Sequence, residues 1–572
     1  MRSAIDKLAA VTVAALCFAA CEADPPATGE GSAPEDPSEA PPSPGPNADD
    51  GAVAAGDDAG APDADPSGEP TPPPDDEPPA DWGQIKPPVP PPDPAELTVH
   101  ALVGYEVVAV YSQPNLESPR LGYLRFGQRA MVTPKIEDAG EGCRKGFHAL
   151  AAGGFACASK GLIVDADKEP YMYLPPPPPR TEEPLPYDYG TIAADGTAMW
   201  WRIADRDEVT LAQEKYDAMV AALEPPAAAP PSKPKPKPAA GTPDAPALPG
   251  VTDTPAAPPV ELTEEEREKI RLRKEAERLA EEERAAQLAE KAKNLPLNSA
   301  KPFMEKGFTI TLGDKVKEKG RSWWRTTRGG FVESSKTWKK KTYDFEGSAI
   351  AADSGFPFGF VMEEEASASM LTEDGKLKRK RKLEYREFLD FAEEVEIDGT
   401  KYLVTADGLH VRAKDVRLAE PATRPEGLKP WEKWIDVDLG RQILVAYEGE
   451  QPVYATLVST GKKGTAEESF ETPTGSYRID TKHISSSMDG STASDGNYSI
   501  QDVPWAMFFK DSYALHGAFW HSRFGNRRSH GCVNLGPTDA RWMFNWTTPI
   551  LPEGWHGVKA HEGAPGTLVV IR

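Results

Sequence analysis

Proline does most to limit how this chain can fold. The 572 residues include 59 Pro, and they are clustered. A Pro has no amide hydrogen and a fixed φ, so a dense run can neither join a sheet nor continue a helix. Two such runs divide the chain. Residues 22–95 are almost wholly Asp, Glu, Pro, Gly, Ala and Ser. They are too poor in apolar side chains to offset the entropy of ordering and are expected to be a disordered, acidic linker. Residues 225–260, rich in Pro, Ala and Lys with a KPKPKP repeat, form a second linker.

The rest reads as a multidomain, mainly β chain. Ahead of the first linker, Arg2 and Lys7 make a positive n-region before an apolar run, Leu8–Ala20, too short to span a bilayer and suited to a secretory leader. It ends in Phe18-Ala19-Ala20-Cys21, which resembles the lipobox of bacterial lipoproteins. Residues 1–21 are therefore expected to be a signal peptide, with Cys21 acylated as a membrane anchor. An ordinary cleaved leader is the alternative. Both readings put the mature chain in the cell envelope, on the periplasmic side. The net charge of −25 argues against nucleic acid as a partner, because phosphate binding needs clustered Lys and Arg. The basic runs Trp338–Lys341 and Lys376–Lys382 fit a solvated face or a contact with an anionic wall or lipid surface.

Residues 97–165 contain strand-like runs between Gly and Pro turns, as in Tyr105–Tyr111 and Arg120–Phe126. This stretch is similar to bacterial SH3-like domains, a resemblance that implies a small barrel and binding of wall glycopeptide. Cys143 and Cys157 fall here, and in an oxidising compartment two nearby cysteines pair. Closing a loop of that size is worth roughly 3 kcal/mol. A metal site using His148 is the rival reading.

Residues 166–224 are ambiguous. Pro175–Pro179 reads as extended, Thr197–Val209 as a strand pair and Leu211–Leu223 as a helix. Residues 263–293 predict one charged helix, opened by a capping box of Thr263 and Glu266. Its apolar residues hold no heptad, so a solvated spacer roughly 45 Å long is expected. Residues 301–418 read as a small β-rich module, and residues 431–572 as a β-rich domain with a helix over Thr538–Trp546.

The chemistry concentrates in Tyr513–Leu535, which holds His516, His521, His530 and Cys532. Read as residues alone, the four side chains could bind zinc, or the Cys could be an inert buried thiol. The spacing carries a third reading. His516-Gly517, eleven residues, then Ser529-His530-Gly531-Cys532-Val533-Asn534 resembles the YkuD-type L,D-transpeptidases. Ser459-Thr460-Gly461 and Thr472-Pro473-Thr474-Gly475 fit the same family in the same order, and the match runs over Ile435–Arg572.

The resemblance implies acyl transfer on peptidoglycan stem peptides with no metal or organic cofactor, and acylation by carbapenem-type β-lactams. Cys532 would be the nucleophile. A free thiol is only a few per cent thiolate at neutral pH, so it needs a base, assigned to His516. Gly531 would let the loop turn so that the amides of Gly531 and Cys532 face an oxyanion. Gly517, Ser529, His530 and Asn534 would orient the loop and the acyl donor, with His521 a bystander in the cleft. Asn534 stands where many members carry Arg. Two further readings are a non-catalytic peptidoglycan-binding lipoprotein and an L,D-carboxypeptidase.

Overall fold

The computed structural model describes residues 89–172, 175–223, 263–299, 301–343, 345–464, 468–492 and 496–572. The expected signal peptide, Cys21, the acidic linker up to residue 88 and the linker over 225–260 lie outside the described residues. The acidic linker ends sooner than expected. Val89 packs against the first core, and Asp93 caps a short turn over Pro94–Glu96 through the Ala95 amide. One apolar side chain with a core to join is enough to end a linker.

Seven short strands lie between Val99 and Asp165. Val99–Val103 pairs with Arg129–Val132 and with Leu162–Asp165 in a three-stranded sheet. Val107–Tyr111 and Arg120–Arg125 form a hairpin that continues into a larger sheet. Ala101, Val103, Val108, Val110, Leu121 and Leu124 make the core, joined by Trp555 and Val558 from the far end of the chain. Cys143 and Cys157 are disulfide-bonded, with their Cα atoms 5.9 Å apart.

The expected module over 301–418 is divided. Thr309–Leu312 and Thr337–Lys339 both pair with Asp188–Ile192, and Phe303–Met304 pairs with Thr197–Ala198. Residues 303–339 thus belong with the segment before the second linker. Their partner strands lie across that linker, where reading along the chain does not look. Trp323 is fully buried here, its ring edge-on to Trp200. Residues 358–418 have a core of their own, built from Val361, Ala368, Leu383, Leu403 and Val411.

Helix α1 spans Arg206–Leu223. Helix α2, Glu264–Lys293, has the capping box of Thr263 and Glu266 and buries none of its residues. Lys291 near its end reaches Asp205 and Asp207 at 2.9 and 3.3 Å, beside the start of α1.

The C-terminal domain comprises β1 (Lys433–Asp438), β2 (Ile443–Glu448), β3 (Gln451–Leu457), β4 (Gly475–Arg478), β5 (Thr481–Thr492), β6 (Gly496–Lys510), β7 (Tyr513–Gly517), β8 (Val533–Leu535), helix α3 (Pro537–Trp546), β9 (Gly557–Lys559) and β10 (Leu568–Ile571). One sheet has the order β3-β2-β1-β10-β4, with Ser348–Ala349 outside β3. Side chains alternate across it, and both faces are buried. Ile435, Val437, Leu444 and Ala446 pack with α3, β7 and β8. Trp434, Ile443, Val445 and Tyr447 pack against Phe358 and Phe360 of the preceding module and against Phe524.

The hairpin β5–β6 lies in the middle of a twelve-stranded sheet. Beyond β5 come β9 and then Arg120–Arg125, and beyond β6 come Thr309–Leu312 and then Asp188–Ile192. Where these segments meet, Asp502 is completely buried. It accepts from Arg125 Nη2 at 2.6 Å, Thr327 Oγ1 at 2.7 Å and Thr311 Oγ1 at 3.0 Å. Despite burial, the guanidinium of Arg125 with that of Arg328 holds its carboxyl well below the usual carboxylate range.

Candidate active site

Strands β7 and β8 run parallel, with Leu515 opposite Val533, His516 opposite Asn534 and Gly517 opposite Leu535. Neighbours in adjacent strands point the same way. Leu515, Val533 and Leu535 face the core. His516 and Asn534 share the opposite face, and Cys532, two residues before Asn534, comes to the same side. Cys532 is half-buried, its sulfur 3.7 Å from the Ser512 carbonyl. The register thus sets His516 diagonally across from Cys532, the residue just before β8.

The tautomer of His516 follows from its surroundings. Its Nδ1 lies 3.3 Å from the Gly517 carbonyl, which can only accept, so Nδ1 carries the hydrogen. Burial pushes its pKa down to about 4, so the ring is neutral at pH 7 and Nε2 is a bare acceptor. Burial also pushes the Cys532 thiol up to about 11, opposed by the Ala514 amide beside the sulfur. The resting pair is a thiol and a neutral imidazole.

The loop before Cys532 is held by the two upstream motifs. Ser459 and Asn534 exchange backbone hydrogen bonds of 2.9 Å each. Thr460 accepts from the amides of Arg528 and Ser529, and Lys462 donates to the Ser529 carbonyl. Thr472 Oγ1 accepts from the Gly461 amide at 2.9 Å and donates to the Gly531 carbonyl at 2.8 Å. One hydroxyl therefore ties both motifs to the residue before the nucleophile. Gly461 lies so close to the Phe470 carbonyl that a Cβ would sit 2.0 Å from it. Gly531 has φ 124°, and a Cβ there would lie 2.4 Å from the Tyr513 ring.

One expectation is corrected. The Gly531 amide does not face the cleft; it donates to Ser529 Oγ at 3.1 Å. The same hydroxyl donates to the Cys532 carbonyl at 2.5 Å. Ser529 folds the loop back on itself and takes up the hydrogen that was to serve an oxyanion. Gly517 ends β7, buried, and supplies the carbonyl that orients His516. His530 lies between Tyr498 of β6, stacked at 5.3 Å, and the edge of Phe470 at 4.8 Å.

His521 has more to do than a bystander. Its Nδ1 accepts from the Arg523 amide, and burial pushes its pKa down to about 3, so the neutral ring carries its hydrogen on Nε2. That atom is 2.9 Å from the Asn534 amide. The neutral ring's Nε2–H calls for an acceptor, so the Asn534 amide is oriented with its oxygen toward His521. Sequence reasoning missed Gln442, whose side chain accepts from the Thr460 amide and donates to Thr460 Oγ1. It missed Tyr498 and Phe470 as well. None of the three belongs to a spaced motif.

Residues 432–571 match the family model described as YkuD, the L,D-transpeptidase catalytic domain. The C-terminal domain is accordingly of the YkuD type. YciB of Bacillus subtilis (strain 168), an L,D-transpeptidase by name, is 25% identical over 176 residues, which cover 27% of this chain and 83% of that protein. An L,D-transpeptidase structure from Mycobacterium smegmatis is 18% identical, covering 31% of this chain and 79% of its own, with a TM-score of 0.20. The catalytic domain of an Enterococcus faecium L,D-transpeptidase is 20% identical, covering 25% of this chain and 98% of its own, with a TM-score of 0.19.

Proposed function

We propose that this protein is a peptidoglycan L,D-transpeptidase of the cell envelope that works through a Cys532 thioester. The observation that carries the reading is the placement of Cys532 and His516 on one face of β7 and β8, with the loop between them fixed by both upstream motifs.

Cys532 attacks the carbonyl of the L-centred residue of a tetrapeptide stem. Because the thiol is protonated at rest, attack is coupled to proton transfer onto the bare Nε2 of His516. The tetrahedral oxyanion collapses, the peptide bond breaks, and the terminal D-alanine leaves with the proton from His516. An amine of a neighbouring stem or of a protein then attacks the thioester and releases the thiol. With the Gly531 amide engaged by Ser529, the Cys532 amide is the oxyanion donor in this reading. Asn534, held by His521, stands where many members carry Arg and in this reading helps to shape the donor side of the cleft. No cofactor enters the scheme.

The modules around the catalytic domain fit the same setting. Residues 97–165 serve as an SH3-like wall-binding domain, and the acidic linker tethers the chain to an acylated Cys21 in the membrane. Clickable fatty-acid labelling should mark the protein, and label persisting in Cys21→Ser would remove that anchor from the proposal.

The enzyme is tested by intact mass. The full chain exposed to imipenem should gain one adduct, and Cys532→Ala should gain none. An unmodified mass on a folded wild-type protein would refute the assignment. Products from purified tetrapeptide stems then separate cross-linking from hydrolysis, the carboxypeptidase outcome.

A further inference from the structure

A second groove lies behind the catalytic histidine. Its volume is about 570 Å³, and three separate parts of the chain line it. One wall comes from between Arg180 and Tyr189, the second from Lys339, Lys340, Thr342, Tyr343, Phe345 and Glu346, and the third from Pro537 and Thr538 at the start of α3. Tyr189 stacks on Phe519 at 3.8 Å, Phe519 meets Trp520 edge-on at 5.1 Å, and Trp520 stacks on His516 at 5.7 Å. A continuous chain of ring contacts thus links the groove wall at Tyr189 to His516.

The charges in the groove are uneven. Arg180 and Lys339 are both paired with Asp188, at 3.2 and 2.7 Å. The ammonium group of Lys340 is half-buried and has no partner among the described residues. Burial lowers its pKa from the ordinary lysine range. In a chain of net charge −25, a cation left unpaired inside a cavity stands out. Glu346, on the same wall, is an exposed carboxylate that is also without a partner among the described residues. Tyr343, 44% exposed, offers a flat ring beside them.

An unpaired ammonium and an unpaired carboxylate in one groove, with an aromatic wall and the Thr342 hydroxyl nearby, match a short zwitterionic peptide. We propose that this groove docks a second stem peptide, with its carboxylate on Lys340 and its free amine on Glu346. The inference rests on the transpeptidase reading and extends it: the partner of the donor stem is a peptide that brings both a carboxylate and an amine. A neighbouring stem held here is kept beside the cleft while its donor is loaded, which raises its effective concentration.

The probe is the free tetrapeptide L-Ala-γ-D-Glu-L-Lys-D-Ala, titrated by calorimetry into the full chain with Cys532 already acylated by imipenem, so that the donor cleft is filled. Saturable binding is expected. Lys340→Met should weaken it at least tenfold, and so should replacing the peptide's terminal carboxylate by a carboxamide. Tyr343→Ala, at an exposed position, should weaken it several-fold without affecting folding. Imipenem adduct formation should be unchanged in both variants, and that readout stands apart from the docking. If no adduct forms, the transpeptidase reading itself fails, and the titration is run on Cys532→Ala. If the adduct forms but the peptide does not bind, or binds Lys340→Met as tightly, the docking site is refuted. Acetate competing at the same concentrations as the peptide would reduce the groove to a generic anion site and would also refute it.

Discussion

Replacing Arg125 by Met tests whether the first module and the catalytic domain fold as one unit. Arg125 stands in a strand of the first module, and its guanidinium meets Asp502 at 2.6 Å in the middle of β6. The carboxylate is completely buried. Removing one partner of a buried pair costs about 3–5 kcal/mol, because the remaining charge is left uncompensated. Two features set the value at the low end. Thr311 and Thr327 still donate to the carboxylate, and Arg328 lies 3.8 Å away. A loss of about 3 kcal/mol is therefore expected. In calorimetry of the full chain that is a fall of roughly 6–12 °C in the transition containing both modules.

The pH dependence supplies a second check. The folded pKa of Asp502 is depressed, so its contribution is present above the unfolded value near ~4 and is lost as pH falls through the folded value. In Arg125→Met the folded pKa rises, so the loss begins at higher pH. The gap between variant and wild type should be widest near pH 7 and close in strong acid. A double-mutant cycle with Asp502→Asn should show coupling of a few kcal/mol. The reasoning fails if Arg125→Met costs under about 1 kcal/mol, or if its cost does not depend on pH.

Three further predictions follow from the site and the first module. Alkylation of Cys532 by iodoacetamide should rise about tenfold per pH unit from 7 to 10 with no inflection near 6.5, because the thiol titrates near 11 and His516 is already neutral; a plateau below pH 8 would contradict this. Thr472→Val should lower stability by about 1–3 kcal/mol and slow imipenem acylation, since it strips partners from the Gly461 amide and the Gly531 carbonyl; unchanged thermal denaturation and acylation would show that the bridge is dispensable. Cys143→Ser with Cys157→Ser should lower the melting temperature by an amount equivalent to roughly 3 kcal/mol while leaving imipenem acylation intact, which denaturation and mass spectrometry on the same sample can check.

What was legible in the sequence was what depends on spacing. The placement of His516 and Cys532 and the helix after Pro537 follow from short motifs, and α2 follows from its capping box. What was not legible depends on partners far away in the chain. The hairpin β5–β6 was not read as strands because Thr481–Thr492 is mostly polar, with Lys, His, Ser and Asp. Its pairing comes from neighbours on both sides, so local hydrophobicity carries little of the signal. The fate of the Gly531 amide is not legible, because spacing places a backbone but does not say which side chain takes its hydrogen. Ser529, two residues earlier, takes it. Lys482 shows the same limit: a lysine reads as surface, yet this one is buried, with its ammonium capping the carbonyls of Phe544 and Thr547 at the end of α3.

The shared sheet has a practical meaning for anyone who cuts this protein. The matched family domain begins at residue 432, which invites a polypeptide starting there. Such a fragment would lose Thr309–Leu312 from the edge of β6 and Arg120–Arg125 from the edge of β9. It would also uncover Trp434 and Tyr447, whose stacked rings lie against Phe358 and Phe360. Two open strand edges and a bare apolar face invite aggregation. A polypeptide from about residue 89 to the end keeps both strand edges paired and leaves Phe358 and Phe360 over the stacked rings.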